Sequence, residues 1–253
     1  LFDYVDKFVI CEATLDHAGN EKRLNFDMKK FKKYEKKINY IVVNDLPKVV
    51  KSFKKHWHPA HARDQFQRNA LVRGLSDCDL DDIIMISDLD EIPNPEKISD
   101  FKKEDKYACF VQGNFLFKLN LLNTSEPKWF GTRVCRKKDL KSPQWLREIK
   151  SRKIPFYKFY KPKFDKFILN GGWHFSSVKT AEGIYKKLHS FSEQQFNNKK
   201  FKDMDIIKNK IEQKKDLFDR GYDFKVLKVD QTFPKFIYEN QDKFKDFIYT
   251  DAN

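Results

Sequence analysis

Short apolar runs separated by polar segments define the secondary structure that this sequence predicts. Residues 8–11 and 40–43 are apolar runs bounded by charged or polar residues, and residues 82–87 contain a third run. Runs of this length are typical of buried strands. Residues 25–37 place three aromatic rings among lysines, and residues 61–75 carry apolar side chains at helical spacing. These two segments predict helices between the strands.

The second half of the chain predicts strands first and helices later. Residues 107–122 are rich in β-branched and aromatic side chains, which predicts one or two strands. Residues 126–170 mix proline, lysine and aromatic residues, and we expect irregular structure and short elements there, with mobile substrate loops. Helical spacing then returns over about 180–192 and about 203–219, which predicts two C-terminal helices.

This order of elements defines the expected fold class. Strands that alternate with helices are typical of an α/β fold with a mostly parallel central sheet. Without an internal repeat or a low-complexity linker, residues 1–253 are expected to form a single domain. Parallel sheets bind ligands at the carboxyl ends of their strands. The acidic turn that follows residues 82–87 falls at such an end.

Composition narrows the class of protein. The chain has 25 Phe and 40% hydrophobic residues, which excludes a disordered protein. Its net charge of +14 favours polyanions, either nucleic acid, acidic membranes or phosphorylated ligands. Because the lysines are scattered in pairs, we expect a solvated basic surface that contacts a membrane peripherally, and no nucleic acid.

Cysteine usage and hydropathy add two exclusions. The four cysteines are far apart and form no C-x-x-C pair, which argues against a zinc knuckle or a disulfide framework. No run approaches the roughly 18 apolar residues of a membrane span, and no signal-peptide pattern opens the chain. We therefore expect a protein that is cytoplasmic or peripheral to a membrane, of unknown oligomeric state.

The acidic turn Asp88-Leu89-Asp90-Glu91 is the first candidate for chemistry. Two carboxylates at i and i+2 after a buried strand can hold Mg²⁺ or Mn²⁺, which prefer oxygen ligands and bridge carboxylates to substrate phosphates. Such an ion assists the departure of a diphosphate. An acidic turn before a proline is also frequent in proteins without this role.

Three further groups of residues are considered as substrate or metal ligands beside this turn. Arg68 and Asn69 lie on the preceding helix, where guanidinium can bind phosphate and an amide can bind a base or ribose, although Arg68 can also pair with Asp64. His174 follows two glycines and Trp173, and its imidazole could complete a metal site or make one core hydrogen bond. The histidines of residues 56–61 lack ligand spacing, so we expect a loop role for them.

Together these segments resemble glycosyltransferase family 17. The resemblance covers nearly the whole chain, and it is carried by residues 5–12, 67–75, 82–93, 172–176, 182–188, 202–221 and 234–240. It is strongest at residues 172–176, whose sequence is GWHFS, followed by EGIYKKL. The family includes the animal enzyme that adds bisecting N-acetylglucosamine to N-glycans.

The resemblance implies a Rossmann-type nucleotide-sugar-binding fold of the GT-A kind and a UDP-sugar donor. It also implies transfer to a glycan acceptor with inversion and Mn²⁺ or Mg²⁺ as cofactor. By this resemblance the metal residues are Asp88, Asp90 and His174. The donor-binding residues are Glu12, Arg68, Asn69, Asp88 and Trp173. Glu91 and Glu182 are the candidate catalytic bases, with Glu148 a further one.

The chain also departs from the family pattern. Members usually begin with an extra strand and a segment rich in Glu, Leu and Arg before residues 5–12. We therefore expect an N-terminal strand of the nucleotide-side sheet to be missing here. Without an anchor or lumenal signal, the N-glycan acceptor is not carried over. A basic nucleic-acid-binding protein, a metal-dependent nucleotidyltransferase and an inactive glycan binder remain the alternatives.

Overall fold

The computed structural model describes residues 1–16, 19–47, 59–151, 160–190 and 203–250. By their contacts the residues form two compact units. The first unit comprises Leu1–Ile86 and Val134–Lys163, and the second comprises Ser87–Arg133 and Phe164–Asn253. The expectation of a single domain stays a prediction.

The first unit is built around a pair of parallel strands. Its elements are β1 (Phe8–Ala13), β2 (Ile38–Val43), α1 (Pro59–Asn69), β3 (Ile83–Ile86) and α2 (Pro143–Glu148), with 3-10 helices at Met28–Lys37, Ala70–Gly74 and Lys137–Asp139. β1 and β2 pair in parallel, with Ala13 opposite Val43. These two residues pack with Leu46 and Ala70 into a small core, because both strands turn apolar side chains towards the end of α1.

The structure confirms the three strands that residues 8–11, 40–43 and 82–87 predict. The predicted helices differ in type. Residues 25–37 contain a 3-10 helix from Met28 to Lys37, kinked at Phe31, and α1 gives way to a 3-10 helix at Ala70. At Gly74 an added Cβ would lie 2.4 Å from Val9 Cγ1. Glycine therefore allows this turn to approach β1 closely.

The second unit contains most of the strands. Its elements are β4 (Glu91–Pro93), β5 (Tyr107–Leu116), β6 (Leu121–Asn123), β8 (Lys166–Ile168), β9 (Gly172–Ser176), α3 (Ala181–Ser190), α4 (Met204–Glu212), β10 (Phe224–Val226) and α5 (Lys235–Glu239), with 3-10 helices at Pro95–Asp100 and Gln241–Phe247. The strand β7 (Lys128–Arg136) starts in this unit and ends in the first. The order of the central strands is β10-β6-β5-β7.

The α/β class is confirmed, but the prediction of a mostly parallel, Rossmann-type sheet is wrong. β4 with β9, β5 with β6 and β6 with β10 are antiparallel, whereas β8 and β9 run parallel to β5. β5 and β6 are joined by a tight turn in which Phe117 has φ 66°. A turn this short can join only antiparallel neighbours. An apolar run in the sequence does not distinguish the two directions.

Residues 126–170 are more regular than predicted. The six-residue α2 and the three-residue β8 are short elements of the kind expected, whereas β7 extends over nine residues and was not predicted. The C-terminal helices are confirmed as α3 and α4. Asp203 caps the start of α4 by accepting hydrogen bonds from two backbone N–H groups, but the helix ends at Glu212, before Lys214 takes φ 56°.

Two apolar clusters hold the second unit together. One joins the β5–β6 hairpin to α3 and α4 through Leu121, Ile184 and Ile207. The other joins Phe115 and Phe175 of the paired strands to the C-terminal segment. In the described part of the chain, none of the helices has the length and apolar character needed to cross a membrane.

Candidate active site

The acidic loop is a tight turn between β3 and β4. The backbone N–H of Glu91 donates to the carbonyl of Asp88 at 3.0 Å, and the N–H of Asp88 donates to Glu91 Oε2 at 3.0 Å. Leu89, at the tip, is fully exposed. The turn therefore projects towards solvent while its base is fixed by its own residues.

Strand β9 brings His174 beside this loop. Glu91 and His174 are opposite each other in the β4–β9 ladder, and the N–H of Phe175 donates to the carbonyl of Asp90 at 2.8 Å. Gly172 permits this approach, because it has φ +126° and an added Cβ would lie 2.1 Å from the carbonyl oxygen of Ile92. Glycine at this position therefore allows β9 to approach β4 closely.

The orientation of His174 is fixed by Asn114 on β5. Asn114 Nδ2 donates to the carbonyl of Glu126 at 2.9 Å, so its Oδ1 is the atom that faces His174 Nδ1 at 3.0 Å. A carbonyl oxygen can only accept, and Nδ1 therefore carries the proton. The lone pair of neutral His174 is then on Nε2, which faces Asp90 Oδ2 at 3.7 Å.

The Asp90–His174 pair fits a shared metal ion. Its 3.7 Å separation exceeds a hydrogen bond and is less than the sum of two metal–ligand bonds of about 2.1 Å. Across the described ranges, no three His, Cys, Asp or Glu side chains gather as a ligand group. Mg²⁺ and Mn²⁺ commonly take their remaining ligands from phosphate and water, so two protein ligands are sufficient.

The carboxyl group of Asp90 is partly withdrawn from water. Burial raises its pKa, as do the nearby carboxylates of Glu91 and Asp88, whereas His174 acts in the opposite direction. A cation bound at this position would favour the ionised form of Asp90.

Glu91 is enclosed by the protein. It is only 4% exposed, and Trp129 Nε1 donates to its Oε1 at 2.8 Å while the N–H of Asp88 donates to its Oε2. The indole of Trp129 also stacks on the imidazole of His174, with ring centroids 4.1 Å apart at 9°. Glu91 thus joins the acidic loop to the ring that supports His174.

A second polar chain lies at the start of the loop. Ser87 Oγ and Thr132 Oγ1 are 2.7 Å apart, and Gln112 Nε2 donates to Thr132 Oγ1 at 3.3 Å. Gln112 and Thr132 are buried on β5 and β7. These contacts attach the first residue after β3 to the sheet and restrain the direction of the loop.

The predicted donor residue Glu12 lies in the first unit at the centre of a hydrogen-bond network. Its two oxygens accept from Lys22 Nζ, from the N–H and Nδ2 of Asn25, from the N–H of Phe26 and from Tyr40 Oη, at 2.6–3.0 Å. Burial raises the pKa of Glu12, but these hydrogen bonds outweigh it and lower the pKa to about 2. A carboxylate with so many donors favours a structural role.

Arg68 and Asn69 join α1 to α2. Arg68 Nη1 donates to Gln144 Oε1 at 2.5 Å and to Asp64 Oδ2 at 3.1 Å, so the pair with Asp64 is present. Asn69 Oδ1 accepts the N–H of Gln144 at 3.0 Å, near the start of α2. Both polar groups are therefore engaged within the first unit, and donor binding by either stays a prediction.

The remaining predicted residues are in the second unit or outside the described residues. Trp173 is opposite Ile92 and packs against the cluster that contains Phe115 and Phe175. Glu182 is exposed in the first turn of α3, 3.8 Å from Lys208 Nζ. Hydrogen bonds from its own backbone N–H and from Thr180 lower the pKa of Glu182. The cluster at residues 56–58 lies outside the described residues.

Two site residues have no counterpart among the predictions, Asn114 and Trp129. Asn114 is 5% exposed within an apolar strand, and a buried amide needs partners, which is a signal that the sequence already contains. Trp129 falls in the segment expected to be irregular. Its neighbours Phe130, Thr132 and Val134 are strand-forming residues, and they could have indicated β7.

The chain matches the family model of glycosyltransferase family 17 over residues 1–248, and it belongs to this family. The protein is accordingly a glycosyltransferase, which acts on a sugar donor and a glycan acceptor. Neither a curated protein nor a solved structure matches it.

Proposed function

We propose that the protein transfers N-acetylglucosamine from its UDP-linked form to a hydroxyl group of a glycan, with inversion at the anomeric carbon. The observation that carries this proposal is the Asp90–His174 pair. Asp90 Oδ2 faces His174 Nε2 at 3.7 Å in a chain of glycosyltransferase family 17. An oxygen and a nitrogen ligand of this kind suit Mn²⁺ or Mg²⁺.

The protein side chains hold this site in place before a substrate binds. Asn114 fixes the imidazole tautomer, and Glu91 fixes the backbone of Asp88 and the indole of Trp129. Preorganised groups lower the barrier because they need no rearrangement as charge develops. A bound Mn²⁺ or Mg²⁺ ion would supply positive charge for the departing diphosphate.

In the proposed reaction the acceptor oxygen forms a bond to the anomeric carbon as the bond from that carbon to the diphosphate oxygen breaks. A general base takes the proton of the acceptor hydroxyl. We assign this role to Glu182, because its carboxylate is exposed, whereas both oxygens of Glu91 are engaged.

The three donor residues expected in the first unit have an indirect role in this proposal. Glu12 anchors the segment that contains Asn25, while Arg68 and Asn69 join α1 to α2. These contacts lie within the first unit, and donor binding by the three residues stays a prediction. Trp173 is half-buried and packs with the core, so its contribution is likewise structural.

The test is a panel of UDP-sugars with and without Mn²⁺, measured as thermal shift and as UDP release. We expect a metal-dependent rise in melting temperature for UDP-N-acetylglucosamine. The variants Asp90→Asn and His174→Ala should lose this rise and the UDP release. Asp100→Asn is the matched control, since Asp100 is half-exposed in the same unit and pairs only loosely with Lys97 at 3.8 Å.

Two outcomes would overturn the proposal. One is full UDP release by Asp90→Asn. The other is UDP release by the unaltered protein that a chelator leaves unchanged. A shift with nucleoside triphosphates and none with UDP-sugars would reject the proposed donor.

A further inference from the structure

The indole of Trp129 is rigidly held beside the candidate metal pair. Its Nε1 donates to Glu91 Oε1 at 2.8 Å, and one face of its ring lies on the imidazole of His174 at 4.1 Å and 9°. Two contacts in different directions fix both the position and the plane of the ring. Little conformational entropy is therefore left to lose when a ligand binds to it.

Despite these contacts, 38% of Trp129 remains exposed. One face of the indole is covered by His174, so the exposed part of Trp129 lies away from that face. His174 thus contacts Trp129 with its ring face and Asp90 with its Nε2 edge. An open aromatic face is presented directly beside the groups to which we assign the diphosphate.

We propose that the open face of Trp129 is a subsite for a pyranose ring of the glycan acceptor. This inference rests on the proposed function and specifies one of its substrates. A pyranose presents a flat patch of C–H groups that can cover an aromatic face, while its hydroxyl groups stay at the rim in contact with water. Such stacking buries apolar area on both partners.

The chain around Trp129 is exposed to solvent, which favours the acceptor over the nucleotide as the ligand of this ring. Residues 124–130, which lead into and include Trp129, are all exposed. A glycan must extend into solvent beyond the reacting sugar, and an open strand end permits this. Small nucleotide ligands instead bind in clefts that enclose most of their surface.

The neighbouring residue Phe130 offers a matched control. It is 37% exposed, almost the same as Trp129, but its ring packs edge-on against Phe167 at 5.6 Å and 76°. Successive strand residues point to opposite faces of a sheet, so Phe130 presents its surface away from His174. Phe130→Ala removes a similar exposed aromatic without touching the proposed subsite.

The experiment compares Trp129→Phe and Trp129→Leu with the unaltered protein and with Phe130→Ala. Trp129→Phe keeps an aromatic face but removes the N–H group that donates to Glu91. Trp129→Leu removes both the aromatic face and the N–H group. The probe is an oligosaccharide that presents several pyranose rings, the N-glycan core pentasaccharide, and its binding is measured by saturation-transfer NMR, without donor or metal. The acceptor and donor KM values are measured separately with UDP-N-acetylglucosamine and Mn²⁺.

We expect Trp129→Leu to weaken pentasaccharide binding and raise the acceptor KM on the order of tenfold, as for other aromatic stacking contacts. Trp129→Phe should show a smaller change, and Phe130→Ala should show none. If Trp129→Phe and Trp129→Leu changed pentasaccharide binding and the acceptor KM equally, the proposal would be overturned. The lost hydrogen bond to Glu91, and not the aromatic face, would then explain the effect. If only the donor KM rose, the proposal would also be overturned, because Trp129 would then contact the nucleotide of the donor and not the acceptor.

The result also separates this inference from the proposed function. If the pentasaccharide binds through Trp129 but no UDP-sugar binds, the subsite stands and the donor assignment fails. If UDP-sugar turnover is normal and pentasaccharide binding is unchanged in Trp129→Leu, the subsite fails and the proposed function stands.

Discussion

Asn114 and His174 form a buried hydrogen bond in which Asn114 Oδ1 faces His174 Nδ1 at 3.0 Å. The amide cannot rotate to offer its other atom without losing the bond from Nδ2 to the carbonyl of Glu126. One interaction on β5 therefore determines which nitrogen of the imidazole faces Asp90. The residue that decides the chemistry of His174 lies 60 positions away along the chain.

The first prediction concerns this bond. Asn114→Leu should lower the affinity for Mn²⁺ by about tenfold to hundredfold, since the partner that orients a metal-binding histidine is then missing. Affinity is measured as the Mn²⁺ dependence of UDP-sugar binding. Asn120→Ser is the control, because Asn120 is equally buried but bonds to the carbonyls of Leu227 and Tyr249. An unchanged Mn²⁺ requirement in Asn114→Leu would contradict the assigned tautomer.

The second prediction distinguishes Glu91 from Glu182. Glu91→Gln leaves one acceptor oxygen for the two groups that donate to Glu91, Trp129 Nε1 and the N–H of Asp88. We therefore expect the free energy of unfolding to fall by about 1–3 kcal/mol. Glu182→Gln changes an exposed residue and should leave the stability nearly unchanged. As the proposed base, however, it should lower kcat by about a hundredfold or more. Chemical denaturation and initial rates measure the two effects. A normal kcat in Glu182→Gln would remove it as the base.

The third prediction is a pH dependence of stability from Glu12. Its pKa is about 2 in the folded protein, below the ordinary value of 4.5, so the ionised form stabilises the fold. This stabilisation, about 3 kcal/mol, is present above the unfolded-state pKa and is lost as the pH falls from about 4.5 through about 2. Glu12→Gln should therefore be less stable at pH 7, and the difference from the unaltered protein should shrink as the pH is lowered.

Urea denaturation between pH 7 and pH 2.5 measures this difference. Glu21→Gln is the control, because Glu21 is exposed on the same unit. Parallel stability curves for Glu12→Gln and the unaltered protein would contradict the role of the Glu12 network.

The fourth prediction concerns the approach of β9 to β4. Gly172→Ala places a Cβ 2.1 Å from the carbonyl oxygen of Ile92, in addition to the unfavourable φ. We expect a loss of roughly 3 kcal/mol or more, together with loss of activity as His174 shifts. Gly221→Ala is the matched control, since Gly221 also has positive φ, at +78°, but an added Cβ meets nothing within 4 Å. The φ cost alone is about 1–2 kcal/mol. Equal losses in the two variants would show that the close approach is unimportant.

Local patterns predicted the elements better than their arrangement. Apolar runs located β1, β2 and β3, and helical spacing located α3 and the start of α4. The same patterns did not give strand direction, because an apolar run is compatible with parallel or antiparallel neighbours. They also missed β7, because the prolines and lysines in the segments around it indicated irregular structure.

The site shows the same division. The acidic turn and the Gly-Gly-Trp-His segment are visible in the sequence, since each depends on a few adjacent residues with unusual backbone or charge properties. Asp90 and His174 were therefore expected together, and they lie 3.7 Å apart. Glu12, Arg68 and Asn69 were expected at the donor, yet their polar groups bond within the first unit. Residue type alone does not reveal such partners.

The sequence by itself determined the family, the α/β class and the pair of residues at the centre of the candidate site. These follow from short-range pattern and from motifs whose residues are adjacent in the chain. Only the tertiary structure decided that the sheet is mostly antiparallel, that Asn114 sets the tautomer of His174 and that Trp129 is held open beside it. Each of these depends on contacts between residues distant in sequence, which hydrogen-bond geometry and packing select only when the strands are side by side.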